Sequence, residues 1–168
     1  MRSKVLSAFA AVLLLAACET ASEQGAGTAG TGGATGAGAP ATSTARPGPR
    51  PGSQEDLVAN VGDRVFYDFD KSDLKPEARR TIERWAAWLR QYPNVTVTVE
   101  GHADERGTRE YNIGLGERRA TSAKNYLVSL GIDARRVATI SYGKERPAVI
   151  GSNEAAWSQN RRGVMVVN

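Results

Sequence analysis

The chain has one cysteine, Cys18, and one histidine, His102. A single cysteine excludes an internal disulfide, so no cysteine scaffold holds this fold. A single histidine, with only Asp104 and Glu105 beside it, makes a weak ligand set, and no metal or other cofactor is expected. Charge of one sign is also scarce. There are 22 basic and 18 acidic residues, a formal net charge of +4, and no long Lys/Arg run. That balance gives no footprint for nucleic acid, which is not expected as a partner. No serine sits in a nucleophile signature, so an enzyme is not expected either. Asp70 and Asp104 can imitate a glycosidase pair, but a facing Arg119 would keep both ionised and poor as acids.

Aromatic residues are missing between Phe9 and Phe66. Over residues 19–54 the chain is Ala, Gly, Thr, Ser and Pro with almost no bulky apolar side chain. Such a stretch cannot bury enough surface to offset its ordering entropy. It reads as a tether, flexible at first and stiffer around Arg46-Pro47-Gly48-Pro49-Arg50-Pro51. A flexible chain of that length averages roughly 30–35 Å end to end.

Ahead of it, Met1-Arg2-Ser3-Lys4 is a short basic head, and Val5 to Ala17 is apolar apart from Ser7 and the small residues. A helix over that run spans roughly 20 Å, short of a ~30 Å hydrocarbon core. Residues 1–17 therefore fit a signal peptide better than a membrane span. The run ends Leu15-Ala16-Ala17-Cys18, which resembles the bacterial lipobox. The resemblance implies that Cys18 is acylated and becomes the first mature residue. Several chains on one cysteine anchor firmly where one would not. Glu19 follows, and the absence of Asp there is compatible with the outer membrane, facing the periplasm.

Residues 55–168 read as one folded domain. Arg64 to Asp70 alternates as a strand, and Pro76 is well placed at the first position of a helix carrying Ala78, Ile82, Trp85, Ala86 and Leu89. Val95, Val97 and Val99 alternate with Thr96, Thr98 and Glu100 in a second strand that stops at Gly101. A polar turn follows, Thr108 can cap the next helix, and Gly131 can end it. Val137 to Tyr142 reads as a third strand, Asn153 or Ser152 as the cap of a short helix, and Arg162 to Val167 as a last strand. The order is β-α-β-α-β-(α)-β. It predicts an α/β fold, an α+β sandwich with helices on one face of a mixed four-stranded sheet.

The third helix has an odd feature. Leu115, Ala123, Tyr126, Leu127 and Leu130 form its apolar stripe, and Arg119 falls on that stripe while Arg118 is rotated off it. A guanidinium on a packed face needs an anionic partner, and Asp104 at the end of the preceding strand is the nearest candidate. Taken alone, the pair reads as a structural bridge before it reads as a binding site.

Several stretches carry a family resemblance. They are Phe69-Asp70-Lys71-Ser72-Asp73, Val99 to Thr108, Tyr111 to Ala120, Ser141-Tyr142-Gly143-Lys144-Glu145-Arg146-Pro147-Ala148 and Asn160-Arg161-Arg162. Together they resemble the OmpA-like C-terminal domain family in its lipoprotein branch, over nearly all of residues 61–168. The resemblance implies a non-catalytic domain that binds peptidoglycan through the free end of a stem-peptide diaminopimelate, and it reverses the preference for a bare bridge. It implies Arg119 for the ligand carboxylate and Asp104 for its ammonium. It also implies Asp70 as a second acidic contact and Phe69, Thr108 and Leu115 as pocket-lining positions. It further implies a Tol–Pal setting in envelope integrity and cell division, and a TolB-like periplasmic propeller as protein partner. The alternatives are an interaction module whose pocket is incidental, or a cell-wall hydrolase.

Overall fold

The computed structural model describes residues 48–168. The expected signal peptide, the acylated Cys18 and the tether up to residue 47 lie outside the described residues.

Ordered structure starts earlier than the expected domain boundary. Ser53 accepts a hydrogen bond from the Asp56 N–H at 3.3 Å and caps helix α1, Gln54–Asn60. The Gln54 side chain donates to the Met165 carbonyl and accepts from the Val167 N–H. Ser53 and Gln54, assigned to the tether from sequence, thus belong to the packed domain. Helix α1 itself is not anticipated, because Leu57 and Val58 are its only sizeable apolar side chains. Leu57 is fully buried, and Asp56 accepts from the Trp88 indole at 2.9 Å.

Strand β1 is Arg64–Phe66, helix α2 Pro76–Gln91, strand β2 Val97–His102, helix α3 Arg109–Ser129, strand β3 Val137–Gly143, helix α4 Glu154–Asn160 and strand β4 Arg162–Val167. The sheet order is β1-β4-β2-β3. Strand β4 runs antiparallel to both β1 and β2, while β2 and β3 are parallel, so the sheet is mixed as expected.

The core lies between the sheet and helices α2 and α3. Ile82, Trp85, Ala86 and Leu89 from α2 meet Val97 and Val99 from β2 and Ala120, Ala123 and Leu127 from α3. Burying each large side chain contributes about 1.5–3 kcal/mol. Pro76 opens α2 with its missing N–H at no cost, and the Thr108 hydroxyl accepts from the Tyr111 N–H to open α3. Gly131, at φ +90°, turns the chain away from α3.

Two close approaches set the site. A Cβ at Gly101 would lie 1.8 Å from the Gly116 carbonyl oxygen, so glycine at both positions lets α3 settle directly on β2. Strand β1 is also shorter than predicted. The Tyr67 N–H still bonds the Arg161 carbonyl at 2.9 Å. Beyond it the chain leaves the sheet in a turn at Asp68–Lys71, where the Arg119 side chain of α3 takes the Asp68 and Lys71 carbonyls.

Candidate functional site

A cleft of about 160 Å³ opens where β1, β2 and α3 meet. Its lining includes Phe69, Asp70, Asp104, Arg106, Leu115 and Arg119. The walls are the Asp68–Lys71 turn, the 104–107 loop after β2 and the first two turns of α3.

Arg119 forms the floor and is 0% exposed. Its Nε donates to the Lys71 carbonyl at 2.8 Å, its Nη1 to the His102 carbonyl at 2.7 Å and its Nη2 to the Asp68 carbonyl at 3.0 Å. These carbonyls lie on both walls, so one guanidinium sets the width of the cleft. A guanidinium has five N–H donors, and this one keeps a hydrogen on each Nη to spare. Among the described residues no carboxylate is within ion-pairing distance of it, which departs from the expected Asp104–Arg119 bridge. Burial pulls its pKa down to about 10, against the opposing fields of Tyr67, Asp104 and Asp70. It is still a cation at neutral pH.

Asp104 is taken by other arginines. It accepts from the Arg106 side chain at 2.5 Å and 3.2 Å, from the Arg106 N–H at 3.1 Å and from Arg161 at 3.4 Å. Desolvation alone would push this carboxyl up. The Arg106 hydrogen bonds and charge outweigh that and hold it below 3.8. The local Asp104–Arg106 turn wins over the longer reach to Arg119, since two residues apart the pair closes with little chain entropy. Arg106 is also stacked between two rings, 3.9 Å from the Phe69 centroid and 4.0 Å from that of Trp157.

Asp70 stands at the mouth. It is the one non-glycine residue with positive φ among the described residues, at 55°. The Tyr111 hydroxyl donates to its carboxylate. Aspartate tolerates this left-handed backbone better than most residues, so the turn can place an acidic side chain beside the cleft.

A model of the OmpA family matches residues 66–161 of this chain.

The chain belongs to the OmpA family.

Among its relatives, the peptidoglycan-associated lipoprotein of Rhizobium meliloti is 54% identical over 117 residues, 70% of this chain and 66% of that protein. The match thus spans just under two thirds of that relative's length. The peptidoglycan-associated lipoprotein of Mesorhizobium japonicum is 47% identical over 167 residues, 99% of this chain and 93% of that protein. A crystal structure of the peptidoglycan-associated lipoprotein from Burkholderia pseudomallei superposes with a TM-score of 0.62 at 35% identity, covering 63% of this chain and 90% of that one. The C-terminal domain of Helicobacter pylori MotB shares the fold, with a TM-score of 0.59 at 19% identity over 63% of this chain and 84% of that one.

Within this OmpA-family domain, five of the six residues expected to bind come together in the cleft: Phe69, Asp70, Asp104, Leu115 and Arg119. Thr108 does not line it and serves instead as the cap of α3. Sequence reasoning missed Arg106, Tyr111 and Asn112 in the lining, and Arg161 behind it. Arg161 is buried and joins Asp104, Glu154 and the Tyr67 carbonyl. The Asp-x-Arg spacing of Asp104 and Arg106 was the one local signal available. Nothing in the local pattern announces Arg161.

His102 is a further buried ionisable group here, 1% exposed. Its ring nitrogens have no hydrogen-bond partner among the described residues, and Glu100 lies 3.4 Å from Nε2. Desolvation first, then the charges of Arg162 and Arg146, lower its pKa to about 4. A neutral ring at that distance from Glu100 is a packing neighbour, not an ion pair. The His102 ring lies against Tyr142, centroids 5.6 Å apart, while the His102 backbone carbonyl receives Arg119.

Proposed function

We propose that this cleft binds the free zwitterionic end of diaminopimelate in peptidoglycan stem peptides, without catalysis. The observation that carries the reading is Arg119: a buried cation with two spare N–H groups, three backbone carbonyls around it and, among the described residues, no carboxylate in ion-pairing reach. Burying such a charge without a counterion is costly, and a ligand carboxylate in a bidentate fork relieves it. The ammonium three bonds away then falls to the acidic mouth. Asp70 is the better acceptor, being exposed, while Asp104 already accepts from two arginines. Phe69 and Leu115 cover the aliphatic part of the side chain. The relatives named peptidoglycan-associated lipoprotein support peptidoglycan as the polymer bound.

With the lipobox-like Leu15-Ala16-Ala17-Cys18, the proposal extends to an outer-membrane lipoprotein facing the periplasm. It links that membrane to the wall as part of a Tol–Pal system that acts in envelope integrity and in constriction at division. A TolB-like propeller partner would then compete for the same face. The test is sedimentation of the purified protein with peptidoglycan sacculi. Saturable binding displaced by free meso-diaminopimelate supports the reading. Binding indifferent to diaminopimelate, or release of soluble wall fragments, would contradict it.

A further inference from the structure

Arg119 lines the cleft and is nonetheless 0% exposed, so a carboxylate reaches it only after something at the mouth moves. The Tyr111–Asp70 hydrogen bond is placed to be that element. Asp70 lies in the turn whose carbonyls, at Asp68 and Lys71, hold the guanidinium from one side. Tyr111 stands in the first turn of α3, the element that bears Arg119 itself. Their hydrogen bond therefore joins two walls of the cleft that Arg119 floors. Both partners can swing: Tyr111 is 48% exposed and Asp70 is exposed. In this closed arrangement the guanidinium of Arg118, a residue rotated off the apolar stripe of α3, lies 5.7 Å over the Tyr111 ring.

We propose that the Tyr111 hydroxyl acts as a gate, holding Asp70 in the free protein where the ligand's ammonium binds and so keeping Arg119 covered. The inference rests on the diaminopimelate reading for its ligand, but the gate itself does not need it. An arriving ammonium takes over Asp70, the hydroxyl lets go, and the guanidinium is uncovered for the carboxylate. Opening costs the hydrogen bond, so the wild-type protein binds more weakly than an ungated one. A net hydrogen bond to a charged group is worth a factor of roughly ten or more when shielded, and less at an exposed mouth.

The test uses Tyr111→Phe, which removes the hydroxyl and keeps the ring. Two quantities are measured: affinity for free meso-diaminopimelate by calorimetry, and hydrogen exchange of the Arg119 Nε–H by NMR. The gate predicts about threefold to tenfold tighter binding and faster exchange, with a Tm lowered by several degrees at most, because the same hydrogen bond is lost from the free folded state. Asp70→Gly breaks the same bond from the other side without strain at positive φ, and must also accelerate exchange. Unchanged exchange in both variants overturns the gate. So does weaker binding in Tyr111→Phe, which would make the hydroxyl part of the bound state. If the wild-type protein ignores diaminopimelate while exchange accelerates, the ligand reading fails and the gate stands.

Discussion

Replacing Arg119 by alanine removes three charge-assisted hydrogen bonds, to the carbonyls of Lys71, His102 and Asp68. In isolation each is worth about 1.5–3 kcal/mol. The full sum is not expected, because the cleft adjoins the vacated space and water can enter to serve the orphaned carbonyls. Removing an uncompensated buried charge also returns part of the loss. A net destabilisation of about 2–4 kcal/mol remains. Equilibrium urea unfolding of wild type and Arg119→Ala measures it, with equal m-values required for the comparison. Arg119→Lys keeps the charge but loses the fork, and one ammonium cannot span carbonyls on both walls. It should fall between the two in stability and bind diaminopimelate almost as poorly as alanine. Arg80→Ala, on the outer face of α2 in an exposed pair with Glu77, is the control and should match wild type. A loss under about 1 kcal/mol in Arg119→Ala would refute the view that this guanidinium sets the width of the cleft.

Three further outcomes follow from the same geometry. His102 is the single histidine, so its ring signals titrate alone in an NMR pH series; a midpoint near 4 is expected, and one between 6 and 7 would contradict its burial. Its folded pKa lies below the unfolded 6.5, so its contribution to stability is complete above pH 6.5 and is lost as pH falls toward 4, about 3 kcal/mol in all. His102→Gln should flatten that part of the stability profile, and an unchanged slope would assign it to the carboxylates instead. Gly101→Ala pushes a methyl into the Gly116 carbonyl and should lift α3 off β2, with a loss of roughly 3 kcal/mol or more and weaker diaminopimelate binding; a neutral effect would show that the two backbones are not in contact.

The elements were legible wherever the chain punctuates itself. Pro76, Thr108, Gly131 and Asn153 each mark a boundary through a backbone requirement that only a few residue types meet, and the structure puts boundaries there, whereas β2 runs past its expected stop at Gly101 to His102. Helix α1 was not legible, because seven residues with one buried leucine carry no periodicity; the Ser53-x-x-Asp56 cap was its only sign. The position of Arg119 on an apolar stripe was readable, and so was its closeness to Asp104 and Asp70. Its partners were not. Backbone carbonyls at Asp68, Lys71 and His102 accept regardless of the side chains there, so no residue pattern encodes them. The same holds for the two glycines on α3. Gly114 and Gly116 look like helix weaknesses by propensity, and only the approach of β2 shows why Gly116 must be small.

The central claim is that one cleft, floored by Arg119, takes a zwitterionic amino-acid end. The most direct measurement is an NMR titration of the isotope-labelled protein with free meso-diaminopimelate. The account predicts saturable shifts confined to Phe69, Asp70, the 104–107 loop, Tyr111, Leu115 and the Arg119 Nε–H, and their disappearance in Arg119→Lys. Saturable shifts centred elsewhere, or an Arg119→Lys protein that responds like wild type, would contradict it.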